Sequence, residues 1–356
     1  MKKLKVGLVG VRRGSSYLSV FNNNPRTEIA AVCDLKHEPL VEIAKHYNLK
    51  DNMLFTDFYD FINADIDIVV LGTPIPFHAE ETVAALESNK HVLSEVTASD
   101  TIEGCERILS AANRSKAKYM LAENCIYMHF CQQWKKYVDA GKLGPIYYAE
   151  ADYVHEIRSL VIDPATDSPN WRAQRPPIHY CSHSLGPLLY LMDDYITKAT
   201  CSGKNKTIIR DVGPGAIDMQ VALYETAKGA TIKVLRSSVA TRKPALCTYG
   251  IYGKTGFLES GRQDYENIGL RYFEGEDSKG VNIVCSPRDY DAPKETLAGG
   301  HGSSEYYLVN DFLDSIEFNT RPVIDVIRGL EMTVPGIIAH EAAMERNVWK
   351  DVPVYR

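Results

Sequence analysis

The sequence predicts an α/β chain in two parts: a doubly wound parallel sheet, then an α+β part built on a large, mostly antiparallel open sheet. Three observations predict it. Short aliphatic runs alternate with amphipathic helical patterns through the first third of the chain, as they do where parallel strands are covered by helices on both faces. Beyond Glu123 the rhythm changes to strand patterns separated by turn residues, which favour antiparallel pairing. Finally, 356 residues, 45% of them hydrophobic, exceed the usual length of one domain and supply apolar material for two cores. The boundary is drawn between Glu123 and Asn124, giving parts over 1–123 and 124–356.

In the first part, strands are predicted over 4–9, 28–33, 66–71, 91–93 and 118–121, each a short aliphatic run. Between them, Leu40, Ile43, Ala44 and Tyr47 fall on one helical face at spacings of three and four. Asp100 precedes a helical run, and Glu103 three positions on suggests a capping box. In the second part, 124–140 reads as one long helix stopped by Gly141 and Gly144-Pro145. Strands fit 146–155, 216–224, 231–239 and 247–252, with Gly229 in the turn between the second and third. The proline-rich, polar stretch 163–177 reads as a long loop, and long loops in compact domains are often functional. The tail, 305–319 and 326–347, reads as helical.

Composition excludes several classes. A net charge of -6 with scattered Lys and Arg leaves no basic surface for nucleic acid. No apolar stretch approaches the roughly 20 residues that span a bilayer, so no membrane partner is expected. The eight cysteines stand singly, without a C-x-x-C pair, and read as reduced thiols of a cytoplasmic protein. The basic start at Lys2-Lys3 is broken by Lys5 and Arg12-Arg13, so Leu4 onward reads as a first strand rather than an export signal.

The most informative segment runs from Lys5 to Asp34: strand, glycine-bearing turn, helix, and a second strand ending in an acid. This is the layout that holds an adenine dinucleotide. The turn is Gly7-Leu8-Val9-Gly10-Val11-Arg12-Arg13-Gly14-Ser15. With Gly10 as the first glycine of G-x-G-x-x-G, Arg12 and Ser15 occupy the other two positions, and the fingerprint is degenerate. Asp34 strengthens it, being placed to accept hydrogen bonds from the adenosine ribose. A carboxylate there repels a 2'-phosphate, so NAD is favoured over NADP, although Arg12, Arg13 and Lys36 offer an alternative clamp for that phosphate. The bland alternative makes Asp34 a helix cap and the glycines ordinary turn residues. Two further strand ends support a site, because ligands of open parallel sheets sit beyond the carboxyl ends of strands: Gly72-Thr73-Pro74 through His78, and His91 through Glu95 to Thr97.

The densest set of titratable groups is Ile178-His179-Tyr180-Cys181-Ser182-His183. A histidine is the natural proton shuttle near neutral pH, and His183 is the candidate general base, aided by Tyr180 or His179. The structural alternative has His183 pack or cap the following helix. His179, Cys181 and His183 also suggest a metal trio, but three ligands on one short segment without a distant fourth are weak grounds for zinc, and no metal is expected.

At this point the chain resembles the Gfo/Idh/MocA group of sugar and polyol oxidoreductases. The resemblance lies in Thr73-Pro74 to His78, the Glu95 segment, Ala122-Glu123-Asn124, Gly144-Pro145 and His183. It implies a Rossmann domain over 1–123, a substrate-binding and oligomerisation domain over 124–356, and a cofactor site of Gly10, Arg12, Arg13, Gly14, Asp34, Thr73, Pro74, His78, Glu95 and Asn124. The family's Glu-Lys-Pro appears here as Glu95-Val96-Thr97, without the lysine that its dehydrogenases use on the reacting hydroxyl. His183 matches the family's second-domain histidine, and His179 stands where its aspartate would be.

Within the same superfamily, the chain is similar to NAD-dependent glycosidases of the alpha-N-acetylgalactosaminidase type, whose pattern also lacks the lysine. The match includes Glu123 to Tyr127, Ala149 to His155, Trp171-Arg172, Tyr180 to His183 with Gly186-Pro187, and Gly299 to Tyr307. It implies oxidation at sugar C3, loss of the C2 proton, departure of the anomeric substituent, water addition and reduction. Such chemistry needs proton-transfer groups besides the nicotinamide, and Glu150, Tyr180, His183 and Tyr307 are the candidates. A solvated strand carboxylate is the alternative for Glu150. Trp171 offers an apolar wall or simple packing, and Arg172 a donor to a substrate hydroxyl or carboxylate or a surface ion pair.

Three functions are therefore expected, in this order: an NAD-linked dehydrogenase of a sugar or cyclitol, a redox-neutral NAD-dependent glycosidase, and a non-catalytic dinucleotide or sugar sensor. An apolar face on the second sheet predicts a homodimer or homotetramer.

Overall fold

The computed structural model describes residues 2–241, 245–262, 268–297 and 299–356. The chain forms two compact units, one of residues 1–127 and 290–330, the other of 128–289 and 331–356.

The first unit alternates β1 (Leu4–Val9), α1 (Val11–Asn23), β2 (Thr27–Cys33), α2 (His37–Tyr47), β3 (Leu54–Phe55), α3 (Phe58–Ile62), β4 (Ile68–Leu71), α4 (Ile75–Glu87), β5 (His91–Ser94), α5 (Ile102–Arg114) and β6 (Tyr119–Leu121). The six strands lie in the order β3-β2-β1-β4-β5-β6, all parallel. Strands covered on both faces read as unbroken apolar runs, and all four residues of β4 are buried. The order reverses between β1 and β4, which opens a crevice beyond their carboxyl ends. The strands expected from aliphatic runs are present within two residues of their predicted ends. The two-residue β3 is too short to carry a pattern. At α5 the cap is Thr101, one residue beyond the expected Asp100: its hydroxyl accepts from Gly104 N at 3.0 Å.

The expected long helix over 124–140 is broken. A 3-10 turn spans Asn124–Tyr127, Met128 is extended, and α6 covers His129–Asp139. The break coincides with the chain's passage from one unit to the other.

The second unit continues with β7 (Ile146–Val154), α7 (Arg158–Val161), a small hairpin of β8 (Ile162–Asp163) and β9 (Ser168–Pro169), α8 (Ser182–Met192), β10 (Ile196–Ser202), β11 (Met219–Thr226), β12 (Thr231–Ser237), β13 (Leu246–Gly253), β14 (Gly256–Glu259), β15 (Ile268–Phe273) and β16 (Val281–Val284). The chain then adds α9 (Ser304–Glu317) to the first unit, followed by α10 (Val326–Met344) and β17 (Lys350–Asp351). The second sheet has nine strands in the order β16-β15-β14-β13-β7-β12-β11-β10-β17. Only β7 and β12 pair in parallel, and the other pairs are antiparallel. One face carries the buried Ala149, Ala151, Ile232 and Val234, registered side by side. Tyr148, Glu150 and Lys233, of opposite parity, project from the other face.

The 123/124 boundary cuts the sequence into consecutive stretches, whereas the compact units interleave. Residues 290–330 return to the first unit because α9 and its flanks bond there: Leu121 N donates to Ile324 O at 3.0 Å. Arg26 reaches Asp314 at 2.5 Å and Asn310 at 2.7 Å, and Tyr127 OH donates to Asp311 at 2.7 Å. No helix among the described residues is long and apolar enough to cross a membrane. All eight cysteines but Cys247 are buried.

Candidate functional site

In the first unit, the turn after β1 is built by close backbone approach. Gly10 has φ +81, and a Cβ there would lie 2.4 Å from Gly72 C and 2.5 Å from Thr73 N. Gly72 is equally confined, 2.7 Å from Gly14 N. The loops after β1 and β4 therefore touch main chain to main chain. A Cβ on Gly14 would stand 2.4 Å from Leu8 Cδ1, so Gly14 lets α1 lie close on its strand. This is the task usually given to the third glycine of the fingerprint, done here one position early. Gly10 gives α1 no side-chain cap and no acid sits in its first turn, so apart from the Val11 amide, which Asp34 takes, the positive end of the helix is open to an anion. Arg12 is exposed in that turn.

Asp34 follows β2. Its Oδ2 accepts from Val11 N at 3.2 Å and its Oδ1 from Lys36 N at 3.0 Å. Each oxygen keeps a lone pair, so the capping and ribose-binding readings of Asp34 are compatible. Arg13 faces Glu95 at 2.7 Å in an ion pair without hydrogen-bond alignment, and Glu95 is nearly fully buried. Asn124 is buried in its 3-10 turn.

Past β4, Thr73 Oγ1 donates to Glu81 Oε2 at 2.5 Å. Burial pushes the Glu81 carboxyl up to about 7 against that hydrogen bond. His78 is fully buried, with Nδ1 2.8 Å from Thr97 O and Nε2 2.8 Å from Thr73 O. Both ring nitrogens are engaged by main-chain carbonyls, and His78 ties the loop after β4 to the one after β5.

In the second unit, Tyr180 and His183 meet at the start of α8. His183 Nε2 lies 3.1 Å from Tyr180 OH, and the rings are edge-on at 4.9 Å. Tyr153 stands 5.7 Å from the His183 ring. Tyr249 OH donates to His183 O at 2.6 Å and fixes the helix start. His179 does not join them. Its ring faces His340 at 5.4 Å, and burial, with Arg175 nearby, pushes it down to about 3. It is neutral and a poor base at physiological pH. The Cys181 thiol turns to Met332 O, away from a shared ligand position with His179.

Glu150 does not join this group. Tyr153 shares a sheet face with Ala149 and Ala151, and Glu150 projects from the other, bonded to Lys233 at 2.8 Å and Tyr148 at 2.9 Å. Burial opposes ionisation of Glu150, but those partners outweigh it and hold the carboxyl below its usual range. Tyr307 belongs to the first unit, in the first turn of α9 with its ring against Tyr306.

Comparison with known proteins agrees with this geometry. The model of the Gfo/Idh/MocA oxidoreductase family, NAD-binding Rossmann fold, matches residues 4–123. Those residues belong to that family. Over 98% of this chain and 84% of its own length, a glycosyl hydrolase family 109 protein of Shewanella sp. strain ANA-3 is 26% identical. An alpha-N-acetylgalactosaminidase of Shewanella oneidensis is 25% identical with the same coverage. Levoglucosan dehydrogenase, solved with NADH and levoglucosan, superposes with a TM-score of 0.84 at 19% identity, covering 99% of this chain and 100% of its own. At that identity the likeness establishes the fold.

The residues fit the NAD of the Gfo/Idh/MocA domain. The glycine cradle admits no Cβ, the first turn of α1 carries no acid, and the acid after β2 repels a 2'-phosphate. Sequence reasoning missed one titratable pair in this unit. His301 Nδ1 lies 2.5 Å from Oε1 of the fully buried Glu305, whose Oε2 accepts from His301 N at 3.0 Å. Burial would raise Glu305, but the His301 hydrogen bond and charge hold it below its usual range. Gly300 runs past Ser16 of α1, where an added Cβ would stand 3.8 Å from Ser16 Cβ. The signal was the i,i+4 spacing at a helix start.

Proposed function

We propose that the protein is an NAD-dependent oxidoreductase acting on a secondary alcohol of a sugar or cyclitol. The observation that carries this reading is the His183–Tyr180 pair, 3.1 Å apart, in a chain whose first unit is an NAD-binding Rossmann domain. Bound nicotinamide supplies the redox step, exchanging a hydride with the carbinol carbon. Gly10 and Gly72 admit the pyrophosphate to the α1 terminus, and Asp34 holds the adenosine ribose. Glu95 keeps Arg13 in place beside that turn. In the second unit, the Tyr180 phenol would donate to His183 Nε2 across the 3.1 Å contact. A substrate hydroxyl at Tyr180 loses its proton to the phenol oxygen as the phenol proton passes to Nε2. Tyr249 prevents His183 from drifting away during the transfer.

A redox-neutral NAD-dependent glycosidase is the second reading, favoured by the near-full-length relatives named glycosyl hydrolase family 109 and by Val96 in the place of the dehydrogenase lysine. Tyr307 is its further proton-transfer candidate, from the first unit. The two readings separate by assay. Steady NADH production from free sugars or inositols supports the dehydrogenase. Aryl glycosides that release phenol only with NAD bound, in the absence of net NADH, would overturn it in favour of the glycosidase. His183→Ala should lower turnover by about two to four orders of magnitude, the range for loss of an acid–base group, with NAD affinity unchanged. Unaltered turnover removes His183 from the mechanism, and absence of turnover on every sugar leaves the sensor. We also infer a homo-oligomer formed through the outer sheet face, where Met219 and Leu223 are 40% and 39% exposed, to be checked by light scattering. Cysteines that stand singly in the sequence and are mostly buried support residence in a reducing cytoplasm.

A further inference from the structure

Three arginines of the second unit gather on the aromatic rings beside His183 and Tyr180. Arg175 stacks on Tyr180, its Cζ 4.4 Å from the ring centroid, and stands 5.9 Å from that of Trp171. Arg236 packs 4.7 Å from Tyr153 and 5.6 Å from Tyr180. Arg172 lies 4.3 Å over Trp171. Burial, with Arg236 and Arg172 close by, pushes the Arg175 guanidinium down to about 9, and burial lowers Arg236 as well. Both stay cationic at neutral pH.

A cluster of buried cations is expensive unless negative charge answers it. Among the described residues no carboxylate pairs with Arg175 or Arg236. Arg236 is 2% exposed and bonds through Nη1 to the carbonyls of Tyr153 and Ser237. Its Nε, and Nε and Nη2 of Arg175, are buried and have no hydrogen-bond partner among the described residues. Stacking accounts for the ring contacts but leaves these donors unused. Nε and Nη2 lie on one edge of the guanidinium, as parallel donors spaced for the two oxygens of a carboxylate. The cluster is not sealed: Trp171, Arg172, Arg175 and Tyr180 are all half-buried.

We propose that Arg175 and Arg236 form a subsite for an anionic substituent of the substrate, so that the protein takes acidic sugars, carboxylated pyranoses above all, in preference to neutral ones. This deepens, and rests on, the carbohydrate reading above. An anion on the Arg175 edge brings its pyranose beside the phenol of Tyr180, on which Arg175 stacks. Trp171 flanks the same place.

The test uses the NAD-loaded protein. Calorimetry compares glucuronate and galacturonate with glucose and galactose, and with the 6-sulfated sugars, which carry the anion on a different group. The expected result is binding of at least one anionic sugar roughly tenfold or more tighter than its neutral parent, with the preference lost in Arg175→Gln and in Arg236→Gln. The carboxylate and sulfate arms identify the anion. Arg175→Gln is the primary variant because that residue is partly exposed, and circular dichroism checks the fold of both. The comparison of sugars on the unmutated protein decides the question even if neither variant folds. Equal binding of acidic and neutral sugars, or a preference that survives Arg175→Gln in a folded protein, overturns the subsite. Turnover of neutral sugars alone overturns the subsite and keeps the oxidoreductase. Tight anionic binding without NAD-dependent turnover of any sugar keeps the subsite and overturns the oxidoreductase.

Discussion

Glu81 makes the stability of the first unit depend on pH in a direction opposite to that of a paired surface acid. It sits on α4, 8% exposed, with Thr73 as its hydroxyl partner. Its carboxyl moves from the ordinary 4.5 to about 7, burial being the largest cause. The folded state therefore holds the proton more tightly than the unfolded chain. Below the unfolded value both states are protonated and no penalty exists. As pH rises from there through about 7 the penalty grows, and above it levels at about 3 kcal/mol for a shift of this size. Glu81→Gln keeps the volume and an oxygen for Thr73 but carries no charge. At about pH 8.5 the variant should be more stable than its parent by up to about 3 kcal/mol, and at about pH 4 the two should agree within roughly 0.5 kcal/mol. Native-state hydrogen exchange at the α4 amides, corrected for the intrinsic rate, reads this locally without requiring the two units to unfold together. A stability difference that is the same at both pH values, or a variant weaker than its parent in alkali, refutes the burial argument.

Gly10→Ala forces an L residue into φ +81, at about 1–2 kcal/mol for the left-handed region, and sets Cβ 2.4 Å from main-chain carbon of Gly72. Backbone cannot yield, so NAD affinity by calorimetry should fall at least about tenfold; Gly14→Ala meets only the movable Leu8 side chain and should cost less, and the reverse order would contradict the cradle. Asp218 accepts from Thr207 N at 2.7 Å, Ile208 N at 3.1 Å and Ile209 N at 3.0 Å. Asp218→Ala leaves these donors without their acceptor and should destabilise the second unit by about 2–3 kcal/mol, seen as a lowered Tm and faster proteolysis near residue 208; an unchanged Tm would show that water replaces the carboxylate.

What the sequence carried, and what it did not, follows from the range of the forces involved. The strands of the first sheet were legible because burial on both faces demands continuous apolar runs, and β7, β12 and β13 because they occupy the middle of the second sheet. The strands β14 to β16 lie toward one edge, are four to six residues long and mix exposed with buried positions, so no local pattern separates them from loop. Residues 290–330 join the first unit through contacts such as Leu121 N to Ile324 O, and no local propensity records a partner two hundred residues away. The turn at Gly10 and the acid at Asp34 were legible because backbone geometry itself restricts the residue type. Glu150 was not: a strand places residues three apart on opposite faces, but the parity assigns a face only once Tyr153 is known to stand beside His183. The surroundings of His78 were not legible for a related reason. The histidine after a strand looks the same whether it faces a crevice or a carbonyl, and only the closure of the loop after β5 onto Nδ1 decides between them. Arg175 and Arg236 illustrate the limit most sharply. They are 61 residues apart, in a loop and a strand, and their shared lack of a counter-charge is a property of the folded unit alone, which is why an unanswered positive pair is a stronger pointer to the substrate than any motif in the chain.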